Sequence, residues 1–190
     1  MSRGVLVVLA GTSGAGKGTL GQRLRESDPE LRWSVSWTSR PARPGEQPGV
    51  DYHFKSREEF EALRDAGGFL EWFDVYGDLK GTPRAFVEEA LAEGHDVLLE
   101  LDVHGSLAVR DRIPDALLVF VRAPSRDEQR RRLESRGADD PEAIERRLAR
   151  AEAEEEIARE RFDAVIVNDD VDRAAAELAA IVEARRQGER

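Results

Sequence analysis

The stretch Gly11-Thr12-Ser13-Gly14-Ala15-Gly16-Lys17-Gly18-Thr19 decides the fold of this chain. It follows an apolar run at 5–10, which predicts a buried strand, and precedes a helical pattern with Leu20 and Leu24 on one side. Glycines at this junction let the backbone take positive φ angles, so successive N–H groups can converge on phosphate oxygens. The following helix adds its unpaired N–H groups and the positive end of its dipole. The order of strand, glycine-rich loop and helix therefore predicts a nucleoside triphosphate site.

Lys17 can reach the outer phosphates of such a nucleotide with its ammonium group. The usual loop has serine or threonine directly after the lysine, and its hydroxyl binds magnesium. Here that position is Gly18, and the hydroxyl comes one residue later, in Thr19. We therefore do not expect a hydroxyl of this loop to bind magnesium directly. The alternative, a glycine-rich turn with a chance lysine, is disfavoured by the matching strand and helix.

The composition excludes several classes of protein. A chain of 190 residues can form one core with an inserted subdomain. It has no cysteine, which excludes disulfides and thiol chemistry and agrees with a cytoplasmic location. The net charge of −10 argues against a non-specific nucleic-acid binder, because such proteins are usually basic. Met1 lies only a few residues before the first predicted strand, and the apolar runs are short, so we expect neither a signal peptide nor a membrane span.

Residues 38–46 form a loop rich in proline and arginine. Pro41 and Pro44 exclude regular structure over most of it and hold Arg40 and Arg43 on a stiff, exposed segment. Two guanidinium groups suit a phosphate monoester, because each can bind two oxygens at once. A solvated basic loop is the alternative.

Glu71 stands among aromatic and aliphatic residues at 69–77, a segment predicted to be a strand. A carboxylate in such surroundings needs a partner. Guanine offers a ring N–H and an exocyclic amine side by side, and one carboxylate can accept from both. The alternative is that Glu71 faces solvent on an edge strand.

Two acidic residues end the buried strand that is predicted at 96–101. Because strand side chains alternate, Glu100 and Asp102 are predicted to share one face. Acids at the end of a buried strand beside a phosphate loop commonly hold magnesium or its waters. The sequence therefore makes Glu100 and Asp102 candidate magnesium residues.

Periodicity and capping patterns predict the remaining elements. Further strands are predicted at 33–37, 49–54, 116–121 and 164–167. Helices are predicted to begin after Ser56, Thr82, Ser125 and Asp140. The helices after Ser125 and Asp140 are rich in arginine. On composition alone, such helices are typical of solvated faces.

Eight motifs in order resemble the bacterial guanylate kinases, which are P-loop nucleoside monophosphate kinases, over roughly residues 4–185. They are GTSGAGKGT (11–19), SVSWTSRPARPGE (34–46), GVDYHF (49–54), FLEW (69–72), GTPR (81–84), LLELDVHG (98–105), RLESRG (132–137) and VIVNDD (165–170). The resemblance implies transfer of the γ-phosphoryl group of ATP to GMP, with Mg²⁺. It also implies an α/β, three-layer P-loop fold with a central parallel sheet. The core would span 1–32, 96–123 and 161–190, with an inserted mixed α/β GMP-binding domain at 33–95 and a helical lid at 124–160.

The resemblance also implies roles for single residues. ATP would be bound by the loop residues 11–19 and by Asn168, near the adenine. The guanine would be contacted by Ser36, Glu71, Thr82 and Asp102, and the GMP phosphate by Arg40, Arg43 and Tyr52. The catalytic cations would be Lys17, Arg40, Arg132, Arg136 and Arg147.

One departure from the family pattern touches an expected ligand contact. The family's Gly-Asn-Tyr-Tyr-Gly is here Gly77-Asp78-Leu79-Lys80-Gly81, so Lys80 replaces a tyrosine at the GMP phosphate. We expect Lys80 to point into the site from a short turn; the alternative is that it faces solvent.

The expected partners are ATP and GMP, without nucleic acid or membrane, in a cytoplasmic monomer or homodimer. Two other functions stay open. One is a kinase of the same fold for another nucleoside monophosphate, and the other is a non-catalytic interaction module.

Overall fold

The structure, a computed structural model, describes residues 4–75, 77–135 and 140–188. Within those ranges the chain forms two β-sheets. The strands are β1 (Leu6–Gly11), β2 (Arg32–Trp33), β3 (Trp37–Thr38), β4 (His53–Phe54), β5 (Phe69–Val75), β6 (Asp78–Pro83), β7 (Val97–Glu100), β8 (Leu117–Arg122) and β9 (Ala164–Val167). The helices are α1 (Lys17–Ser27), α2 (Arg57–Asp65), α3 (Arg84–Ala92), α4 (Val103–Arg112), α5 (Arg126–Ser135), α6 (Pro141–Arg161) and α7 (Val171–Arg186).

The larger sheet is parallel throughout and has the strand order β2-β7-β1-β8-β9. Its central strand β1 is buried on both faces. Val7 and Leu9 pack with α1 and α7 on one face, and Leu6 and Val8 pack with α3 and α4 on the other. A parallel sheet needs helices on both faces, because its crossover connections cover both sides. This arrangement confirms the predicted three-layer α/β fold.

The smaller sheet is mixed and has the order β4-β3-β6-β5, with β3 and β4 parallel and the other pairs antiparallel. One face packs on α2, where Phe60, Phe69 and Leu79 are buried together. The rings of Phe60 and Phe69 stack with centroids 4.3 Å apart. The opposite face of β5 and β6 is left for the site described below.

The single strand predicted at 33–37 is wrong. Trp33 belongs to β2 of the larger sheet and Trp37 to β3 of the smaller one. The N–H of Ser34 still donates to the carbonyl of Leu98 on β7, whereas the carbonyl of Ser36 accepts from His53 in the second sheet. Both halves have the same alternation of side chains, so periodicity does not reveal that the strand changes partners. The strand predicted at 49–54 is likewise reduced to β4.

The secondary structure predicted for residues 77–83 is also wrong. Residues 78–83 form β6, paired with β5 and β3, where a short turn was expected around Lys80. Thr82 does not cap the next helix, because its hydroxyl donates to the carboxylate of Glu71. Pro83 is the residue that precedes the first turn of α3. A long-range hydrogen bond has replaced the local cap that the residue type favours.

The other helix starts agree with the sequence. Ser56 and Glu59 form the reciprocal capping box at α2, and Asp140 caps α6 with Pro141 in its first turn. Ser125 accepts from the N–H of Glu128 at the start of α5. The sequence also predicts that Gly137 ends this helix, and that residue lies outside the described ones. Within the described part of the chain, no helix is both long and apolar enough to cross a membrane.

Candidate active site

The phosphate loop joins β1 to α1 in a conformation that requires glycine. Gly14 and Gly16 have φ angles of 84° and 86°, which residues with a Cβ rarely adopt. The N–H of Ala15 donates to the carbonyl of Thr12 over 3.0 Å and closes the turn. A Cβ on Gly16 would also lie 2.3 Å from Nδ2 of Asn168. The loop is therefore built as the strand–loop–helix order predicted.

Lys17 is the first residue of α1, and its ammonium group donates to the carbonyl of Leu101 over 2.9 Å. This contact joins the phosphate loop to the end of β7. Burial lowers the pKa of Lys17, and the nearby carboxylates of Glu100 and Asp102 oppose that shift. A partly buried cation whose partner is one neutral carbonyl can exchange it for a charged phosphate oxygen, which makes a stronger bond.

Asn168, a predicted adenine contact, follows β9 and lies against the phosphate loop. Its Nδ2 donates to the carbonyl of Ala15 over 2.7 Å, and its side chain is buried. The residue thus supports the backbone of the loop, and its contact with adenine stays a prediction.

Helices α5 and α6 bring two of the predicted catalytic arginines to the same loop. The guanidinium group of Arg132 donates to the carbonyls of Asn168 over 3.0 Å and of Ala15 over 3.4 Å. Arg147 donates to the hydroxyl of Ser13 over 2.8 Å. Both therefore lie where the phosphates of ATP are expected. The third predicted arginine, Arg136, lies outside the described residues.

Gln129 was not predicted from the sequence, and it also reaches the loop. Its Nε2 donates to the carbonyl of Ser13 over 2.8 Å, and its Oε1 accepts from Arg126 over 2.7 Å. The only signal in the sequence is its place three residues before Arg132, which puts the two on one helix face.

A cavity of about 500 Å³ opens between the phosphate loop and the smaller sheet. Its charged lining consists of four basic and four acidic residues: Lys17, Arg40, Arg43, Lys80, Glu71, Asp78, Glu100 and Asp102. Tyr52 also lines it. The structure thus brings together most of the residues predicted for GMP. Ser36 and Thr82 are not among the lining residues: Ser36 lies just before β3, and Thr82 contacts Glu71.

One end of the cavity carries the loop arginines, and a residue that was not predicted organises them. Both terminal nitrogens of Arg40 donate to the carboxylate of Glu46, over 2.7 and 2.6 Å. The backbone N–H of Arg43 donates to the same carboxylate over 2.8 Å. The hydrogen bonds from Arg40 and Arg43 lower the pKa of Glu46 to about 2. The available signal was a carboxylate three residues after the second arginine of a stiff loop.

At the other end of the cavity, Glu71 is only 6% exposed although β5 is an edge strand. The alternative that this side chain faces solvent is therefore wrong. The hydroxyl of Thr82 donates to its Oε1 over 2.5 Å. Burial raises the pKa of Glu71, while the Thr82 hydrogen bond and the charge of Lys80 act in the opposite direction. A buried carboxylate that faces a cavity can accept from a ligand with N–H donors.

Glu100 and Asp102 both line the cavity, so they do lie on one side as predicted. The reason given for it, that both belong to one strand, is wrong. β7 ends at Glu100, and Asp102 caps α4, with its Oδ1 accepting from the N–H of Gly105 over 2.8 Å. Strand alternation does not extend past the last paired residue. Oδ2 of Asp102 also lies 3.6 Å from Nη2 of Arg150 on α6.

Glu100 fits the chemistry of a magnesium residue. Its Oε1 is buried and has no hydrogen-bond partner among the described residues. Burial raises its pKa, and Lys17 opposes the shift. The described residues contain no cluster of three metal-ligating side chains. Mg²⁺ does not need one, because it commonly takes one or two carboxylates together with waters and substrate phosphates.

Comparison with known proteins agrees with this geometry. The sequence model of the guanylate kinase family matches residues 3–185. A guanylate kinase from Symbiobacterium thermophilum is 51% identical over 97% of this chain and 87% of its own, and one from Thermus thermophilus is 49% identical over 97% and 83%. The crystal structure of a guanylate kinase from Anaplasma phagocytophilum superposes with a TM-score of 0.78 at 32% identity, covering 97% of this chain and 87% of that one. This chain belongs to the guanylate kinase family.

Proposed function

We propose that this enzyme transfers the γ-phosphoryl group of ATP to GMP and forms ADP and GDP. One observation carries the proposal: a single cavity joins a buried carboxylate, Glu71, to a set of cations that reaches the phosphate loop. The carboxylate suits a base with paired N–H donors, and the cations suit a phosphate monoester. A nucleoside monophosphate with a guanine base has both features.

For the donor, ATP is held by the loop residues 11–19 and by Lys17, with Asn168 near the adenine. Arg132 and Arg147 already contact this loop, and they neutralise charge on the transferred group. For the acceptor, we assign Glu71 and Asp102 to the base, with Thr82 acting through its hydrogen bond to Glu71 and Ser36 as a further contact from outside the cavity lining. We assign Arg40, Arg43, Tyr52 and Lys80 to the phosphate.

The reaction requires little covalent chemistry from the protein. An oxygen of the GMP phosphate attacks the γ-phosphorus of ATP, the bond from that phosphorus to the β,γ-bridging oxygen breaks, and its electron pair stays on ADP. The attacking phosphate is already ionised near neutral pH, so no general base is needed. The protein's task is to align two anions and offset their repulsion.

Magnesium is the expected cofactor, bound together with ATP. Glu100, whose buried Oε1 has no hydrogen-bond partner in the described part of the chain, and Asp102 would hold the ion or its waters. When bound, the ion supplies positive charge to the phosphates. Lys17 and the arginines position those phosphates whether or not the ion touches a protein side chain.

We also propose that the chain is divided as the resemblance implies. The core comprises 1–32, 96–123 and 161–190, the GMP-binding domain 33–95 and the lid 124–160. The cytoplasm as location, and a monomer or homodimer as assembly, stay predictions. Light scattering on the purified protein decides between the two assemblies.

The lid should close when both nucleotides are bound. Arg132 and Arg147 contact the loop's own carbonyl and hydroxyl groups, and they must move onto phosphate oxygens to act in transfer. We expect a bisubstrate analogue to shrink the radius of gyration measured by solution X-ray scattering. An unchanged profile at saturating analogue would remove lid closure from the mechanism; AMP alone serves as the control.

Substrate choice is the direct test of the proposed function. ADP release should be measured by a coupled assay with ATP and, in turn, GMP, dGMP, AMP, CMP, UMP and IMP. We expect GMP to be preferred over AMP by several orders of magnitude. Preference for another monophosphate would favour the related-kinase alternative. Nucleotide binding without turnover would favour the interaction module, for which Lys17 and the arginines at the loop have no use.

A further inference from the structure

Strand register directs the side chain of Lys80 into the cavity. On β6, Lys80 pairs with Phe73 of β5 and Thr38 of β3. Its neighbour Leu79 points to the opposite face and is buried against α2 with Phe60 and Phe69. Because strand side chains alternate, Lys80 lies on the same face as Thr82, the residue that contacts Glu71. Lys80 therefore faces the cavity, which it also lines.

The ammonium group of Lys80 lies between the two ends of the site. It is 5.1 Å from the ring centroid of Tyr52, on which the guanidinium of Arg40 also lies at 5.1 Å. Burial lowers the pKa of Lys17, and the charge of Lys80 contributes to the same direction. The charge of Lys80 also opposes the rise that burial causes in the pKa of Glu100. Lys80 thus lies near Tyr52 beside the loop arginines, and its charge acts both on Lys17 of the phosphate loop and on Glu100 at the end of β7.

The charge balance of the cavity makes the positive charge of Lys80 important for holding phosphates. The lining has four basic and four acidic residues. Arg40 is engaged in two hydrogen bonds to Glu46, so part of its charge is already offset. Two nucleotide phosphates that approach each other in this cavity therefore depend on the remaining lining cations, Lys17, Arg43 and Lys80.

We propose that Lys80 is a catalytic residue of the transfer step and contacts the GMP phosphate on the side that faces the phosphate loop. This inference rests on the proposed function and assigns Lys80 more than ground-state binding. As the acceptor oxygen forms its bond to the γ-phosphorus and the bond to ADP breaks, the positive charge of Lys80 offsets the repulsion between the two phosphates. An interaction that strengthens along this path raises kcat and not only affinity.

The test compares Lys80→Met, which keeps the length of the side chain without its charge, with Lys80→Arg, which keeps the charge. Lys55→Met is the matched control, because Lys55 lies over Trp37 outside the cavity. The single-turnover rate of ADP formation is measured by rapid quench, so that product release does not mask the chemical step. We expect Lys80→Met to lower this rate about tenfold or more and to raise the KM for GMP severalfold at low salt. Lys80→Arg should recover most of the rate, and the melting temperatures should be similar.

Each other outcome overturns the inference. A raised KM with an unchanged single-turnover rate would make Lys80 a ground-state binder only. A lowered rate that arginine does not restore, or that follows a lowered melting temperature, would indicate a structural role. An unaffected Lys80→Met variant of an active wild type would refute this inference alone. A wild type that does not phosphorylate GMP would refute the proposed function and this inference with it.

Discussion

Replacing Glu71 with glutamine is expected to remove most of the preference for GMP over AMP without lowering stability. The carboxylate offers only acceptors, which suits guanine's paired N–H donors, whereas adenine directs a ring nitrogen lone pair at it. Glutamine replaces one acceptor with an NH₂ donor that meets an N–H of guanine. Mispairing in a buried polar site can be worth ~10⁴ in discrimination. The ratio of kcat/KM for GMP and AMP should therefore fall by up to about that factor.

The stability of the same variant follows from the direction of the pKa shift. Burial raises the pKa of Glu71 in the folded protein, so between the unfolded and folded pKa values the native state binds more protons. Stability from this group is present below the unfolded pKa and is lost as the pH rises through the folded one. Glutamine removes that loss. At pH 7 we expect the variant to unfold at the same or a higher temperature than the wild type, with the advantage disappearing near about pH 4.

A matched control separates base recognition from the removal of a buried charge. Glu155 of α6 is also a buried glutamate, but it pairs with Arg126 and Arg159. Glu155→Gln should leave the preference for GMP over AMP unchanged. If Glu71→Gln keeps the wild-type preference, Glu71 does not read the base.

Local patterns were enough to predict the part of the site that local chemistry builds. The glycines of the phosphate loop, the buried strand before it and the helix after it are contiguous in the chain. The capping box at Ser56 and the cap at Asp140 involve residues three apart. In each case the residues that determine the conformation lie within one turn of it, so spacing alone identifies them.

Features that depend on distant partners were missed or misassigned. Thr82 has the residue type of a helix cap, but its hydroxyl donates a hydrogen bond to Glu71, eleven positions away. The segment at 33–37 changes sheets because its partners are β7 on one side and β4 and β6 on the other. Pairing between strands is decided by packing against neighbours, which periodicity does not encode.

The burial of Glu71 on an edge strand has the same origin. The sequence left its exposure undecided, because strand position alone does not say what covers a face. The cavity wall from α4 covers it: a Cβ on Gly105 would lie 3.6 Å from Oε2 of Glu71. Resemblance to the family pointed to this residue, and the tertiary contacts supply the physical reason.

Lys17→Met is expected to lower turnover by about a hundredfold or more while the protein stays folded. Methionine keeps the length of the side chain and removes the one cation that extends from the phosphate loop itself. The transition state of phosphoryl transfer spreads negative charge over the transferred oxygens, so the loss should appear in kcat more than in the KM for GMP. Steady-state rates with ATP and GMP, beside circular dichroism and thermal unfolding, check this result.

The thermal stability of the Lys17→Met variant should not fall in proportion to its activity. Because burial lowers the pKa of Lys17, the native state binds fewer protons than the unfolded chain between the folded and unfolded pKa values, and keeping the lysine charged opposes folding below that window. Methionine removes this destabilising effect of the buried charge, and it also removes the stabilising hydrogen bond to the carbonyl of Leu101, so the two changes in stability partly cancel. Lys55→Met, the same substitution outside the cavity, should change turnover by no more than about twofold. Near-normal turnover in a folded Lys17→Met protein would show that the phosphate loop does not act through its lysine.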